Sequence, residues 1–453
     1  MAAAAAPERP WAGRRLHFVG VGGAGMSAYA RAAHSLGAGV SGSDRADSPF
    51  AAALRADGVL EAIIGQRAEN VPAGADVEVV CSSAIDAGNP ERLAALARGL
   101  AVLTRAQLLA QLTALRRTIA VAGAHGKTTT AAMIVSALRA GGLDPSYLIG
   151  GILRDTGRNG EWHAGEWLIV EADESDRSLL SLHTEIAVLT NVELDHHDRF
   201  GSLHELEELY REFLAGAATA VIWDRPELLA LREGSVRAYD AAAATAGASA
   251  SRFEWDGVEV VLGVPGEHNA ANAAAALTVA ALVGVSASDA ARGLAGFAGA
   301  ARRFERLGRS GSGAEIYDDY AHHPTEIAAT LAAARTLQPQ RLIAVFQPHL
   351  YSRTRALARE FGASLAGADV VVVLDVYPAR ERAEDFPGVS GLAVAEAAAD
   401  AAGGRPVYWL PDGERGVTIV GELARAGDLV LAMGAGDVDR LARALLAEGG
   451  GNG

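Results

Sequence analysis

The sequence predicts an α/β protein of three domains, for three reasons. Apolar, strand-like runs such as LHFV, RRTIAVA and RLIAVF each lead into a glycine-rich or polar loop, and alanine-rich helices alternate with them. Two of those loops have the composition of phosphate-binding turns. The chain of 453 residues is also longer than one hydrophobic core usually serves. We expect a Rossmann-like domain over 1–115, a central domain like that of P-loop ATPases over 116–305, and a second Rossmann-like domain over 306–453.

Composition and charge narrow the class of protein. Acidic residues outnumber basic ones 55 to 40, which argues against broad binding of nucleic acid. The single cysteine, Cys81, excludes an intrachain disulfide and is expected as a small buried side chain at a strand end. No apolar run approaches the roughly 18 residues that span a bilayer. We therefore expect a soluble, cytoplasmic protein without membrane insertion.

The first domain opens with a glycine-rich turn. The strand LHFV leads into Gly20, Gly22 and Gly25 of a GxGxxG pattern, and a helix follows. Such glycines permit a tight turn and a close approach to a pyrophosphate. The strand VSGSD then delivers Asp44, nineteen residues after Gly25, where a ribose-binding acid is expected. Taken alone, this pattern is typical of a nicotinamide-dependent oxidoreductase.

A second turn opens the central domain. The strand RRTIAVA runs into GAHGKTTT, although Val121 stands where the usual pattern has its first glycine. Backbone N–H groups and a helix dipole there suit an anion, Lys127 would reach the terminal phosphates, and the Thr128 hydroxyl would bind Mg²⁺. A plain strand-to-helix turn is the alternative. Two phosphate-binding turns in one chain indicate two phosphorylated ligands, one of them a nucleoside triphosphate.

Acidic residues follow two further strands of the central domain. EWLIVEADESD places Glu171 and Asp173 at the carboxyl end of a strand, where a carboxylate can meet Mg²⁺. IAVLTNVELDHHD ends in polar residues, which are Asn191, Glu193, Asp195 and His196. Ligands bind at such strand ends in open α/β sheets. A solvated acidic rim is the alternative for both segments.

Histidine and asparagine pairs leave two alternatives open. His196–His197 and His322–His323 permit a zinc hydrolase, but adjacent side chains of a strand point to opposite faces, so we expect one of each pair at the site. A zinc hydrolase would also leave the phosphate loop unexplained. Asn269 and Asn272 lie three apart on one helix, where they suit either the edge of a base or a helix N-cap.

The third domain follows the connector GRSGSG and contains IYDDYAHHPTE, RLIAVFQPHLYSRTR, ADVVVVLDVYPARE and DLVLAMGAGDV. Its apolar strands each end in a polar or glycine-rich loop, which predicts the second Rossmann-like domain. The loop from Gly434 to Asp437 suits either a phosphate or a plain turn.

Taken together, these segments resemble the Mur ligase family over nearly the whole chain. The resemblance depends on motifs in the family's order, which are HFVGVGGAGMS, SSAI, GAHGKTTT, EADESD, TNVELDHHD, GEHNAANA, RRF, DDYAHHPTE, FQPHLYSRT and GAGD. It implies the three-domain Mur ligase architecture. The first domain would bind the UDP of a sugar nucleotide and the central one ATP and Mg²⁺. The last would close to supply the amino acid site.

The resemblance also implies roles for individual residues. A UDP-sugar site would comprise Gly20, Gly22, Gly23, Gly25, Asp44, Ser82 and Ser83. An ATP site would comprise Gly123, Ala124, His125, Gly126, Lys127, Thr128, Thr129, Asn269, Asn272, Arg303 and Asp319. The catalytic set would be Lys127, Glu171, His196, Arg303 and Asp319, with two Mg²⁺ ions on Thr128, Glu171 and His196. Tyr320, His322 and Arg353 would lie near the substrate carboxylate and the amino acid.

The reaction so implied is the ATP-dependent ligation of L-alanine to the carboxylate of UDP-N-acetylmuramate, a step of peptidoglycan precursor synthesis, by a monomer or weak dimer. An acyl phosphate would form first, and the amine would then displace phosphate. His196, His322 and water stay open as the acceptor of the amine's proton. Two rivals remain: a related ligase that attaches a peptide or another amino acid, and a nucleotide-binding regulator without ligase activity.

Five positions depart from the family pattern. They are Gln66 in place of His, Gln107 in place of Glu, Ala124 in place of Thr, Ala321 in place of Gly and Leu350 in place of Arg. The change at 350 removes a bidentate cation from the expected acceptor site, and the change at 66 is expected to weaken contacts with UDP. Because none affects Lys127, Thr128, Glu171 or His196, we expect an active enzyme.

Overall fold

The architecture of the chain is α/β, as predicted. In this computed structural model the structure describes residues 9–195, 199–241, 245–246 and 251–447. That part of the chain contains three largely parallel sheets and one small antiparallel sheet. None of its helices has the length and apolar content that crossing a bilayer requires.

The first sheet is parallel throughout and has the strand order β3-β2-β1-β4-β5. Its strands are β1 (Arg15–Val19), β2 (Gly39–Asp44), β3 (Ile63–Ile64), β4 (Val77–Cys81) and β5 (Val102–Thr104). The helices between them are α1 (Ala24–Ser35), α2 (Pro49–Ala56), α3 (Pro90–Ala97) and α4 (Arg105–Thr113). This is the Rossmann order, in which the direction of winding reverses between β1 and β4. The reversal leaves a crevice at the carboxyl end of β1, where the first glycine-rich loop begins.

The second sheet has seven strands in the order β12-β11-β10-β6-β9-β7-β8. They are β6 (Arg117–Ala122), β7 (Ser146–Leu153), β8 (Arg158–Glu161), β9 (Trp167–Glu171), β10 (Ile186–Leu189), β11 (Thr219–Trp223) and β12 (Val236–Tyr239). The helices that follow in this part of the chain are α5 (Lys127–Ala140), α6 (Leu203–Ala215) and α7 (Pro226–Leu229). Only β8 is antiparallel to its neighbour. Because β6 lies between β9 and β10, the loops after all three strands meet at one edge.

A small antiparallel sheet and two helices follow. The strands are β13 (Thr245–Ala246), β14 (Ser251–Trp255) and β15 (Val258–Leu262), and the helices are α8 (Glu267–Leu282) and α9 (Ala287–Ala295). Gly293 of α9 packs so closely on α5 that a Cβ there would lie 2.6 Å from the carbonyl oxygen of Ser136.

The last sheet has the order β16-β17-β21-β18-β19-β20, with only β16 antiparallel. Its strands are β16 (Glu305–Arg309), β17 (Glu315–Asp319), β18 (Arg341–Phe346), β19 (Val370–Leu374), β20 (Val407–Leu410) and β21 (Asp428–Met433). Its helices are α10 (Pro324–Thr336), α11 (Tyr351–Leu365), α12 (Gly391–Ala401), α13 (Gly413–Leu423) and α14 (Val438–Ala447). Phe346 of β18 belongs to a core with α10–α12, and Val345 to a core with α13 and α14. Helices therefore cover both faces, as expected of a doubly wound sheet.

The chain separates into two compact units. The first consists of Met1–Glu193, Ser202–Asp240 and Asn272–Gly293, so it holds both the Rossmann-like sheet and the central sheet. The second consists of Leu194–Gly201, Ala241–Ala271 and Leu294–Gly453 and holds the other two sheets. The domain boundaries at 115 and 305 stay a prediction.

Candidate active site

The loop after β1 is held by an acidic side chain. The N–H of Gly22 donates to Asp44 Oδ2 at 2.8 Å, and Ser48 Oγ donates to the carbonyl of Gly22 at 2.8 Å. A Cβ at Gly22 would lie 2.8 Å from Ser48 Oγ and 2.9 Å from Asp44 Oδ2, so the loop has no room for a side chain there. Gly23 is the N-cap of α1, which leaves the N-terminus of that helix at the loop. The structure shows Asp44 bound to the loop, and ribose binding by Asp44 stays a prediction.

The other residues of the predicted UDP-sugar site lie around this loop. Gly20 has a φ of +85°, and a Cβ there would lie 3.1 Å from Cβ of Ser82, which follows β4. Ser83 is exposed, and Gly25 lies in the first turn of α1. Cys81, which directly precedes Ser82, is buried at the end of β4, as predicted.

The second predicted turn joins β6 to α5 and requires glycine at two positions. Gly123 has a φ of +132°, and a Cβ there would collide with Thr190 Oγ1. Gly126 is the N-cap of α5 with a φ of +81°, and a Cβ would lie 2.6 Å from Asn272 Oδ1. A φ in this region costs an L-residue about 1–2 kcal/mol even without a collision. The backbone is therefore fixed as an open loop in front of a helix N-terminus.

Residues after β10 hold the middle of that loop. Asn191 accepts from the N–H of His125 at 2.9 Å and donates to its carbonyl at 3.0 Å, while Thr190 Oγ1 donates to the same carbonyl at 2.6 Å. Asn191 also accepts from the N–H of Ala124 at 3.3 Å. His125 Nε2 lies 2.7 Å from Glu193 Oε2. The end of β10 therefore sets the conformation of the phosphate loop.

Lys127 binds a backbone carbonyl and a buried carboxylate. Its Nζ donates to the carbonyl of Gly123 at 2.5 Å and lies 3.0 Å from both oxygens of Glu174, which is 3% exposed. Burial alone would lower the pKa of Lys127, but Glu174, Asp173 and Glu171 raise it above its ordinary value. Lys127 is also the only lysine in the chain. Sequence reasoning did not single out Glu174, although the motif EADESD contains it.

Glu171 and Thr128 supply oxygen donors beside the loop. Glu171 ends β9, is paired in register with Val121 of β6, and accepts from the N–H of Gly150 at 2.6 Å. Thr128 lies in the first turn of α5 and is 5% exposed. A hydroxyl and a carboxylate are ligands that Mg²⁺ prefers. The third predicted ligand, His196, and its neighbour His197 lie outside the described residues.

The two predicted adenine-site asparagines both lie inside α8, so the alternative that they cap this helix is wrong. Asn272 accepts from Thr130 Oγ1 of α5 at 3.1 Å. Asn269 donates to the carbonyl of Pro265 at 2.7 Å. Their roles at the adenine stay predictions.

In the second unit, Asp319 organises the residues around the RRF motif. Its carboxylate accepts from the N–H groups of Phe304 at 2.6 Å and Ala321 at 2.7 Å. Burial raises the pKa of Asp319 to about 6 against the opposing effect of Arg303. The Arg303 guanidinium lies 4.9 Å from the centre of the Tyr320 ring, a cation–π distance. Sequence reasoning missed the neighbouring Arg302, which donates to the carbonyls of Gly434 and Gly436 at 2.7 and 2.9 Å and so fixes the GAGD loop.

The predicted acceptor residues of this unit form an aromatic and cationic cluster. His322 Nδ1 lies 2.9 Å from the carbonyl oxygen of Tyr320, and the His322 ring lies 6.0 Å from that of His349. Arg353, 4% exposed, binds both oxygens of Asp195 at 2.8 and 2.9 Å. Burial, with His322 and Arg353 nearby, lowers the pKa of His349 to about 3, so this ring is neutral. Sequence reasoning missed His349. Arg353, which was predicted to lie near the substrate carboxylate, binds the carboxylate of Asp195 in this structure.

The positions that depart from the family pattern have defined contacts. Gln66 accepts from Asn89 Nδ2 at 2.8 Å, and Gln107 completes a capping box with Thr104 at the start of α4. Leu350 is buried, has a φ of +69° and donates its N–H to the carbonyl of Tyr377 at 2.9 Å. Ala321 is buried and bound through its N–H to Asp319. The effect of these departures on affinity stays open to measurement.

Comparisons with known proteins agree over nearly the whole chain. Three family models match in series: "Mur ligase family, catalytic domain" over 15–117, "Mur ligase middle domain" over 121–280 and "Mur ligase, glutamate ligase domain" over 302–436. The UDP-N-acetylmuramate–L-alanine ligase of Mycolicibacterium smegmatis is 42% identical, over 96% of this chain and 95% of that protein. The ligase of the same name from Mycolicibacterium vanbaalenii is 43% identical over 96% of each chain.

Solved structures show the same architecture. UDP-N-acetylmuramate–alanine ligase MurC from Thermotoga maritima superposes with a TM-score of 0.81 at 25% identity, over 96% of this chain and 98% of that one. A murein peptide ligase from Psychrobacter arcticus superposes with a TM-score of 0.71 at 23% identity, over 97% and 100% of the two chains, and shows the fold alone. The predicted three-domain α/β architecture is confirmed.

Proposed function

The chain belongs to the Mur ligase family, and from that premise we propose that it joins L-alanine to the carboxylate of UDP-N-acetylmuramate in an ATP-dependent reaction. The product is a precursor of peptidoglycan. One structural observation carries the proposal. Two glycine-rich loops, each fixed by hydrogen bonds at the carboxyl end of a parallel strand, lie in one compact unit. A ligase that combines a sugar nucleotide with ATP needs two such loops, whereas an oxidoreductase or a zinc hydrolase leaves one without a use.

ATP is the ligand of the loop between β6 and α5. The N-terminus of α5 and the loop N–H groups would hold its phosphates, and Lys127 would exchange Glu174 for the terminal phosphate. Thr128 and Glu171 would hold one Mg²⁺, which offsets charge on the phosphates when bound. A second ion would involve His196. These ligand sets are proposals.

The first chemical step transfers the γ-phosphoryl group of ATP to the substrate carboxylate. A carboxylate oxygen attacks phosphorus, the bond to the β-phosphate oxygen breaks, and ADP leaves. Two anions approach each other in this step, so a fixed cation lowers its barrier. The Nζ of Lys127, which lies at this loop, would supply that cation.

In the second step the amine of alanine attacks the acyl carbon and phosphate leaves. The ammonium form must first lose a proton, and His196, His322 and water stay candidates for its acceptor. His349 is too weak a base for this role, since burial lowers its pKa to about 3, with Arg353 nearby. The roles of Tyr320, Arg303 and Asp319 beside the substrates are likewise proposals.

The decisive experiment measures ADP release by the full chain with ATP and UDP-N-acetylmuramate, with each of the twenty amino acids and a short alanine-containing peptide in turn. We expect release that depends on L-alanine, with UDP-N-acetylmuramoyl-L-alanine found by mass spectrometry. Release with another amino acid or with a peptide would favour the related ligase as the alternative. Binding of both nucleotides without any amide product would favour the regulator.

Two finer features complete the proposal. We expect the reaction to take place in the cytoplasm, which agrees with a single buried cysteine. We also expect a monomer or weak dimer, and sedimentation at micromolar concentration would test that expectation.

A further inference from the structure

A partly buried arginine reaches from the Rossmann-like sheet to the acidic segment 171–176, which follows β9. Arg105 is the first residue of α4, and its side chain is 16% exposed. Its Nε and Nη2 donate to Asp176 at 3.1 and 2.8 Å, and Nη2 also donates to Asp173 at 2.9 Å. Two carboxylates on one guanidinium make this a strong anchor rather than a surface ion pair.

The far side of the same guanidinium faces the first glycine-rich loop. A Cβ on Gly25 would lie 3.4 Å from Nη1 of Arg105 and 3.8 Å from the hydroxyl of Tyr29. Within the described part of the chain, Nη1 has no hydrogen-bond partner. A donor at this point is available to an anionic group of a ligand at the loop.

The acidic segment also forms one wall of the ATP loop. Asp173, which binds Arg105, is followed by Glu174, which holds Lys127 Nζ at 3.0 Å. Adjacent carboxylates of one short segment therefore bind the cations beside the two loops, so a movement of Arg105 shifts the backbone that carries Glu174 beside Lys127.

We propose that Arg105 is a positioning residue that couples the two nucleotide sites, so that each nucleotide binds more tightly when the other is present. The proposal rests on the proposed function. Each ligand needs residues 171–176 in one arrangement, and a segment that one ligand has ordered costs the other less to order. Coupling of binding free energies is reciprocal. The factor by which the sugar nucleotide tightens ATP binding must therefore equal the factor by which ATP tightens binding of the sugar nucleotide.

Calorimetry on the full chain tests the proposal. The ATP analogue AMP-PNP with Mg²⁺ is titrated with and without saturating UDP-N-acetylmuramate, and L-alanine is left out. We expect the sugar nucleotide to tighten AMP-PNP binding at least about fivefold, the lower end of the usual range of such coupling. In R105Q, with the sugar nucleotide raised until it saturates the variant, that factor should fall below about twofold, while AMP-PNP alone binds within about threefold of wild type. R105K keeps the positive charge but lacks the planar guanidinium that binds two carboxylates, so its coupling factor should lie between those of wild type and R105Q.

Arg158 provides a matched control. It also joins the two sheets, since it binds Asp57 after α2 and Glu161 of β8 at 2.8 Å each. Among the described residues, its side-chain hydrogen bonds reach neither loop. R158Q should keep the wild-type coupling. An equal loss of coupling in R158Q would show a general effect of loosening the unit and would overturn the proposal.

A second readout uses the only lysine. Labelling with ¹³C at the lysine ε-carbon gives one lysine signal, from Lys127. UDP-N-acetylmuramate alone should shift it in the wild type and not in R105Q, and an unchanged shift in R105Q would count against the role of Arg105. Should R105Q not fold, D176N removes one of the two anchors, and full coupling in that variant overturns the proposal. Failure of the wild type to bind either nucleotide would instead contradict the proposed function.

Discussion

Gly126 shows how the lack of a side chain shapes the phosphate loop. Its φ is +81°, and an added Cβ would lie 2.6 Å from Asn272 Oδ1. Gly142 has almost the same φ, +80°, with nothing within 4 Å of an added Cβ. G126A should therefore lower ATP-dependent turnover at least about tenfold, whereas G142A should cost about 1 kcal/mol of stability and keep its turnover. Steady-state ADP release and urea unfolding measure the two effects. Wild-type turnover in G126A would show that the phosphate loop tolerates a Cβ beside Asn272, and an equal loss of turnover in both variants would show that φ alone matters.

Lys127 is the only lysine in a chain whose other basic residues are all arginine. A compact ammonium fits between the carbonyl of Gly123 and the carboxylate of Glu174, and the planar fork of arginine does not suit that space. K127A should lower ligation by on the order of 10²-fold or more. K127R should restore little of it, although it restores the charge. Near-normal turnover in K127A would refute the role of this ammonium.

Asp318 makes stability depend on pH. It is fully buried, and burial raises its pKa from 3.8 to about 7 against the effect of Arg302, with Asp439 and Asp319 adding to the rise. A pKa raised in the folded state gives stability that is present below the unfolded pKa and is lost as pH rises through about 7. In D318N this loss disappears, so the free energy of unfolding of D318N relative to wild type should increase between pH 5 and pH 8. We expect an increase of roughly 2–4 kcal/mol, because a tenfold change in proton affinity between the folded and unfolded states corresponds to about 1.4 kcal/mol.

Urea unfolding at the two pH values measures this difference. A cost of losing the partner of Arg302 is expected at both values and cancels from the comparison. The same difference at pH 5 and pH 8 would mean that Asp318 is ionised throughout.

At the scale of elements, α4 carries Arg105 and begins with a capping box. The Thr104 side chain accepts from the N–H of Gln107 at 3.2 Å, and the Gln107 side chain accepts from the N–H of Thr104 at 2.8 Å. Because Gln and Glu both complete this motif, Q107E should change the free energy of unfolding by less than about 0.5 kcal/mol, whereas Q107A should lower it by about 1 kcal/mol. Thermal unfolding of the two variants measures the effect, and a large loss in Q107E would indicate a role beyond capping.

The strands and helices that carry the site could be predicted because their signals are local. The apolar run RRTIAVA contains β6 within one residue, and the Lys-Thr pair after the glycines opens α5. The order of strands carries no such local signal. β9 is inserted between β6 and β7, which brings Glu171 beside the phosphate loop, although 50 residues separate it from Val121. The end of an apolar strand predicted that Glu171 lies at the ligand-binding edge of the sheet, but the sequence did not predict which strands are its neighbours.

At the scale of the whole molecule, the contacts that sequence reasoning missed are those between distant segments. Arg353 and Asp195 are 158 positions apart, and Arg105 and Asp176 are 71 apart. In a chain with 39 arginines and 55 acidic residues, nothing in the sequence distinguishes these pairs from exposed ones. Only burial does so, since Arg353 is 4% exposed and Arg105 16%. Such pairs are the part of the site that only a three-dimensional structure reveals.

The two compact units lead to a prediction about which amides a sugar nucleotide protects. Its expected site, the loop from Gly20 to Gly25, lies in the first unit, together with Arg105 and the acidic segment 171–176. UDP-N-acetylmuramate alone should therefore slow hydrogen exchange at the loop and at that segment, and should leave β18 and β21 of the second unit unchanged. Exchange followed by mass spectrometry, with UMP as the control ligand that lacks the pyrophosphate and the sugar acid, measures this.

Because UMP has neither group, it should protect the region near Asp44 and leave residues 171–176 at the rate of the free protein. Equal protection of residues 171–176 by UMP would show that neither the pyrophosphate nor the sugar acid is needed to order that segment. The coupling through Arg105 would then need another cause.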